Sequence, residues 1–208
     1  YQSADQFNDN VTVVSSGSGG ISFGWSGGTG TPILAANKTF SVGAGGFTAG
    51  YLQFGSLMQL GNAAINLTLT GTSAFYVVNS NTACTFGGTV SVTAPDLYIR
   101  GGIFNGPTTF VKTSAGSDHN NGVQNIFNST LDIQNQGSGG YFMLGYNSND
   151  LFNDDVTLSS TAAGGICLGW NGGTGNPTLA SGKKLLIGTA GFSAGFLRLG
   201  GFVQLGPT

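Results

Sequence analysis

Short runs of alternating apolar and polar residues recur along the whole chain: "VTVV" at 11–14, "ISFGW" at 21–25, "LTLTGT" at 67–72, "FYVV" at 75–78, "TVSVT" at 89–93, "LYIR" at 97–100 and "LDIQ" at 131–134. Successive residues of a strand point to opposite sides, so a period of two predicts short β-strands with one side turned inward. Gly, Asn, Ser and Pro separate the runs, and these are the residues that end strands and build turns.

A slower beat lies over this alternation. An aromatic followed by a turn residue appears at Phe7-Asn8, Phe86-Gly87, Phe104-Asn105, Phe127-Asn128 and Phe152-Asn153. The last four are spaced by 18, 23 and 25 residues, and the gap from Phe7 to Phe86 holds about three more such steps. Short strands at a near-constant spacing of 20–25 residues predict a solenoid in which each step is one coil. Equivalent residues then stack roughly 4.8 Å apart, with Phe inside and Asn placed to form amide ladders at the corner.

A third and longer period is written in the phrase "FGWSGGTGTPILA" at 23–35, which returns as "LGWNGGTGNPTLA" at 168–180, so that Trp170 follows Trp25 by 145 residues. The match runs without a gap from Tyr1/Tyr146 to Gly61/Gly206, and about half of the aligned positions are identical. The fold expected is all-β: a parallel β-helix of about 20–25 residues per coil with a 145-residue long period, a β-sandwich being the alternative. Residues 1–208 form one solenoid domain, 1–145 a full repeat and 146–208 the start of a second copy equivalent to 1–63. Eight or nine coils make a rod on the order of 40 Å long.

Composition agrees with coils and removes other classes. Charged residues are only 7% of the chain, every acid is Asp, and the bases are Lys38, Arg100, Lys112, Lys183, Lys184 and Arg198. The Gly, Asn, Ser and Thr that stand in their place are poor helix formers. Fifteen Phe and six Tyr provide a core that a disordered chain lacks. A net charge of −2 offers no basic stripe to nucleic acid, and no apolar run is long enough to span a membrane as a helix. Cys84 and Cys167 are too few for a disulfide framework and read as small buried hydrophobes.

Candidate chemistry is sparse. Asp154-Asp155 stands where the first copy has Asp9-Asn10, and adjacent strand residues diverge, so the pair reads as a solvated turn. Ser117-Asp118-His119 holds the residue types of a hydrolase triad, but three consecutive residues cannot take up its geometry, and the segment reads as an exposed loop. The Gly-rich phrases lack the Lys and the helix of a phosphate loop and read as corners. No catalytic residue, metal or cofactor is expected. Trp25 and Trp170 are either sugar platforms or packing aromatics, with packing favoured. Asn10, Asn37, Asn66 and Asn128 each precede a Thr by two positions and are candidate glycosylation sites.

The phrases "FNGPTTF", "IFNSTLDI", "FNDDVTL" and "GFSAGFLRLGGFVQLGPT" resemble the repeat arrays of large secreted bacterial, Bacteroidota-type, β-helical surface proteins of the adhesin-like kind. That resemblance covers nearly the whole chain through repeat texture, and it implies an extracellular role in a coat, fibre or adhesin without catalytic residues. Both ends also look like the middle: "YQSADQFNDNVT" has the phase of the interior "YNSNDLFNDDVT", and "FVQLGPT" that of "LMQLGNA". With no initiator Met, the chain is expected to be processed or part of a longer array. The expected partner is the chain itself, stacked head to tail or continued by further repeats, with surface glycans as a further possibility. A carbohydrate-binding or carbohydrate-cleaving β-helix is the alternative function.

Overall fold

The computed structural model describes residues 4–24, 29–78, 82–119, 122–161 and 163–206. Every ladder among them is parallel, and strands pair with the third strand before and the third strand after, as required when each turn of a solenoid contributes three strands. The chain is a β-solenoid of about eight turns, with no helix among the described residues. A β-sandwich, which needs antiparallel neighbours, is ruled out.

The first face is one nine-stranded sheet: Gln6–Phe7, Ile33–Leu34, Met58–Gln59, Cys84–Phe86, Gly102–Phe104, Ile126–Phe127, Leu151–Phe152, Thr178–Leu179 and Val203–Gln204. The second face carries the longer strands Val11–Ser15, Phe40–Phe47, Ile65–Thr68, Val90–Ala94, Thr108–Lys112, Leu131–Asn135, Val156–Ser160 and Leu185–Phe192. The third face is two four-stranded sheets, Gly20–Phe23 to Asp96–Arg100 and Asp118–His119 to Leu197–Leu199. Inward residues of all three faces form one dry column in which Phe40, Phe54, Phe75, Phe86, Phe104, Phe110, Phe142 and Phe152 are fully buried.

Paired first-face residues Gln6, Ile33, Met58, Thr85, Ile103, Ile126, Leu151, Thr178 and Val203 mark the coils. Coil length runs from 18 residues, Thr85 to Ile103, to 27, Gln6 to Ile33, wider than the 20–25 expected. The spread lies in the corners. In the shortest coil single residues, Pro95 and Gly101, make two of the three turns. In longer coils the second-face strand bulges: Val13 and Ser15 pair with Val42 and Phe47, and one long period later Leu158 and Ser160 pair with Ile187 and Phe192.

The long repeat is therefore structural as well as textual. Lys38 pairs with Asp9 at 3.3 Å and Lys183 with Asp154 at 2.7 Å, and the next residues repeat a second bond, Thr39 N–H to Asn10 Oδ1 and Lys184 N–H to Asp155 Oδ1. Gly24 and Gly169, at the head of the repeated phrase, both have positive φ (80° and 77°), and a Cβ at either would run into the carbonyl of Gly55 or Gly200 one coil on. Only glycine serves there.

Candidate functional site

The stacked positions read from the Phe beat come together as one column. Phe86, Phe104, Phe127 and Phe152 lie face to face at 5.0, 4.9 and 5.6 Å with interplanar angles of 13°, 8° and 11°. Beside them Asn153 Nδ2 donates to Asn128 Oδ1 and Asn128 Nδ2 to Asn105 Oδ1, each at 2.8 Å. Phe7 stands at the end of the column, edge-to-face against Phe23 and Phe40. The residue next to Asn105 in register is Gly87 and the one next to Asn8 is Ala35, neither with a side-chain amide, so the ladder stops at Asn105 and does not reach Asn8. In the same column Gln59 replaces a Phe. Its Oε1 accepts Gly87 N–H at 3.1 Å and its Nε2 donates to Ala63 O, which converts a core position into a corner clamp.

Trp25 lies outside the described residues. Trp170 is half-buried, with the Arg198 guanidinium 3.7 Å over its ring and the Tyr141 ring 5.3 Å away, so its surface is engaged by protein. The four sequon asparagines are exposed, but not equivalent: Asn128 belongs to the ladder, Asn10 caps Thr39 N–H, Asn37 sits in a turn with φ 61°, and Asn66 projects from the second face. Cys84 and Cys167 are free and buried, and burial pushes both thiols up to about 12.

Asp154 and Asp155 are tied to different partners on the next coil. Asp154 is held below the usual carboxylate range by its Lys183 bond, and Asp155 accepts a backbone N–H.

The segment 117–119 corrects the sequence reading. It is not an exposed loop: Asp118 is buried, at the start of a strand on the third face. The two sheets of that face meet between Asp96–Arg100 and Asp118–His119, and there Asp118 Oδ2 accepts the N–H of Leu97 at 2.8 Å. Lys112, the last inward residue of its second-face strand, is fully buried with Nζ 3.5 Å from Asp118 Oδ2 and 3.5 Å from Asp96 Oδ1. Its ammonium also donates to Pro95 O at 3.1 Å and to Ser114 Oγ at 2.7 Å, and Ser114 Oγ–H donates to Asp96 Oδ1. Burial raises the Asp118 carboxyl to about 7 against the pull of Lys112, and its Oδ1 is buried without a hydrogen-bond partner among the described residues. The side chain of His119 lies outside the description. Sequence reasoning missed this cluster because Lys112 sits at a strand end and Asp96 on a neighbouring coil; its one trace was a Lys in phase with the core residues Thr108 and Phe110.

A second buried carboxylate braces the opposite corner. Asp150 Oδ1 accepts Asn125 N–H at 2.8 Å and Ser148 Oγ–H at 2.9 Å, while Asn125 Oδ1 accepts the N–H groups of Gly101 and Gly102. Burial lifts Asp150 to about 6. No group of three or more metal-ligating side chains occurs among the described residues, and no described helix is long and apolar enough to cross a membrane.

Core side chains are least covered in the end coils, above all in the last. In the last coil Phe192, Leu197 and Phe202 are only partly covered and Leu186, Ile187, Phe196, Leu199, Val203 and Leu205 are exposed. One long period earlier Phe47, Leu52, Leu57 and Phe54, the counterparts of Phe192, Leu197, Phe202 and Leu199, are fully buried under the next coil. The first coil behaves likewise: Phe7, Val11, Ile21 and Phe23 are partly covered, whereas Phe152, Val156, Ile166 and Leu168 are fully buried. A groove of about 500 Å³ also lies on the outer side of the second face, lined by Asp132, Gln134, Thr157, Ser159 and the bulged segment 186–190. Compared with known proteins, the chain matches no family model, no curated protein and no solved structure.

Proposed function

We propose that the chain is a structural protein, a protomer or segment of an extracellular filament or surface adhesin whose end coils are completed by further coils of the same kind. The observation that carries this reading is the pair of unfinished ends: side chains that the interior copy of the same coil buries completely stay partly open in the terminal coils. Open β-edges of this kind pair with other chains unless charge, Pro or a cap blocks them. A head-to-tail contact that does not close on itself builds a filament. Electron microscopy and sedimentation over a concentration series test it. Rods longer than one chain are expected, and Ile187→Lys together with Leu199→Lys should leave single particles. A wild-type chain that stays monomeric at high concentration, both end coils unpaired, overturns self-stacking.

The groove on the second face favours a second reading, glycan binding. It offers amide and hydroxyl groups beside apolar wall residues, the usual lining of a ligand site. Its lining holds one carboxylate, Asp132, whereas glycoside cleavage uses a pair, so this groove supports binding rather than cutting. Retardation in gels containing soluble polysaccharide, lost in Gln134→Ala, tests that reading.

A further inference from the structure

The Lys112 cluster is more than a buried ion pair needs. The described residues leave Asp118 Oδ1 buried and unpartnered, while every other polar atom around it is used: Leu97 N–H holds Oδ2, and Pro95 O and Ser114 Oγ hold Nζ. An orphaned buried oxygen costs stability and asks for an explanation. Removing that one oxygen would remove the unsatisfied atom; the single N–H then left on Nζ could keep its bond to Pro95 O, while Ser114 Oγ retains Asp96 and Gly116 N–H.

We propose that Lys112 and Asp118 are a self-modification site, joined by an amide between Lys112 Nζ and Asp118 Cγ with loss of Oδ1 as water. The parts of an acyl transfer are assembled around them. Nucleophile and carboxyl lie 3.5 Å apart on rigid strand ends, the proximity that makes such steps fast within one molecule. A second carboxylate, Asp96, is within reach of Nζ as proton acceptor, and Leu97 N–H points at the oxygen on which negative charge develops. Burial, which keeps much of Asp118 in the neutral acid form near neutral pH, supplies a carboxyl that can be attacked.

The step balances without an outside reagent. The ammonium gives one proton to Asp96, and the free amine attacks Cγ of the neutral Asp118 acid. The Nζ–Cγ bond forms as the C–O double bond opens toward Oδ2, held by Leu97 N–H. The second nitrogen proton passes to Oδ1, directly or by way of Asp96, and the Cγ–Oδ1 bond breaks. Oδ1 leaves as water with its own hydrogen and the transferred one; the third hydrogen stays on the amide nitrogen. Nothing is oxidised or reduced. The product fastens the turn 113–117 at the place where the backbone ladder of the third face is interrupted.

Intact-mass spectrometry of the whole chain after prolonged incubation at neutral pH, followed by tryptic mapping, decides the matter. The expected result is a mass lower by one water, a chain that trypsin no longer opens after Lys112, and fragments that place the bond between 112 and 118. A backbone succinimide also loses water but leaves Lys112 cleavable and would overturn the proposal. Lys112→Met and Asp118→Ala should keep the full sequence mass, and Asp118→Asn should form the same link with loss of ammonia in place of water. A wild-type chain at full mass, or a link from Lys112 to Asp96, overturns the assignment; the wild-type measurement does not depend on any variant folding.

Discussion

A single Asn or Phe in this solenoid acts through its copies above and below. Asn128 is at once donor to Asn105 and acceptor from Asn153, so Asn128→Ala removes two hydrogen bonds and leaves two exposed amides. Because water can replace both bonds, a loss of about 1 kcal/mol is expected from urea unfolding. Phe127 lies between Phe104 and Phe152 where water cannot enter. Phe127→Ala should therefore cost about 3–5 kcal/mol in the same measurement, the range for a large buried aromatic that leaves a cavity. Gly169→Ala adds only one methyl group, yet it forces positive φ on a residue with a Cβ facing the Gly200 carbonyl. A loss of 1–3 kcal/mol or more is expected, roughly the cost of local backbone strain, and thermal unfolding would detect it.

At the scale of the coil, polar residues decide where strands end. Asp150 and Asn125 hold a corner by accepting backbone N–H groups that the turn frees from the ladder. The folded state keeps the Asp150 proton up to about pH 6, while an unfolded Asp releases it near pH 4. Between those values the native state binds more protons, so this residue's contribution to stability is full at acid pH and is lost as pH rises from about 4 to about 6. Unfolding midpoints across that window should fall for the wild type and fall less steeply for Asp150→Asn, the residual slope belonging to the free carboxyl of Asp118, which burial also raises, to about 7; an unchanged slope would show that Asp150 is not responsible. Strand alternation, the Phe column and the Asn ladder were legible in the sequence because each is a local pattern repeated in register. The corner clamps were not. Gln59 sits where the beat calls for Phe, and Lys112, Asp118 and Asp96 meet only after the chain has turned two corners, so spacing along the sequence carries no sign of their contact.

The whole molecule contains its own control for the end coils. Residues 40–59 and 185–204 are copies of one coil in one chain, with the same bulge and the same three faces, and they differ mainly in what lies on the C-terminal side. Over the first lie the strands that begin with Ile65–Thr68; the second has no described strand beyond it. Phe47, Leu52 and Leu57 are fully buried while Phe192, Leu197 and Phe202 are not, so the free energy of closing the last coil lacks the apolar contribution that its copy receives. Amide exchange should then be faster across 185–204 than across 40–59, since local opening is easiest where buried contacts are fewest. Appending a second copy of residues 64–145 after Thr208 would continue the long period in phase and place on the last coil the cover that 40–59 already has. Protection of 185–204 should then rise to that of 40–59, and the tendency to stack end to end should fall at that end. Equal exchange in the two segments of the original chain would mean that coil stability comes from within each turn, and the end-to-end assembly argued above would lose its driving force.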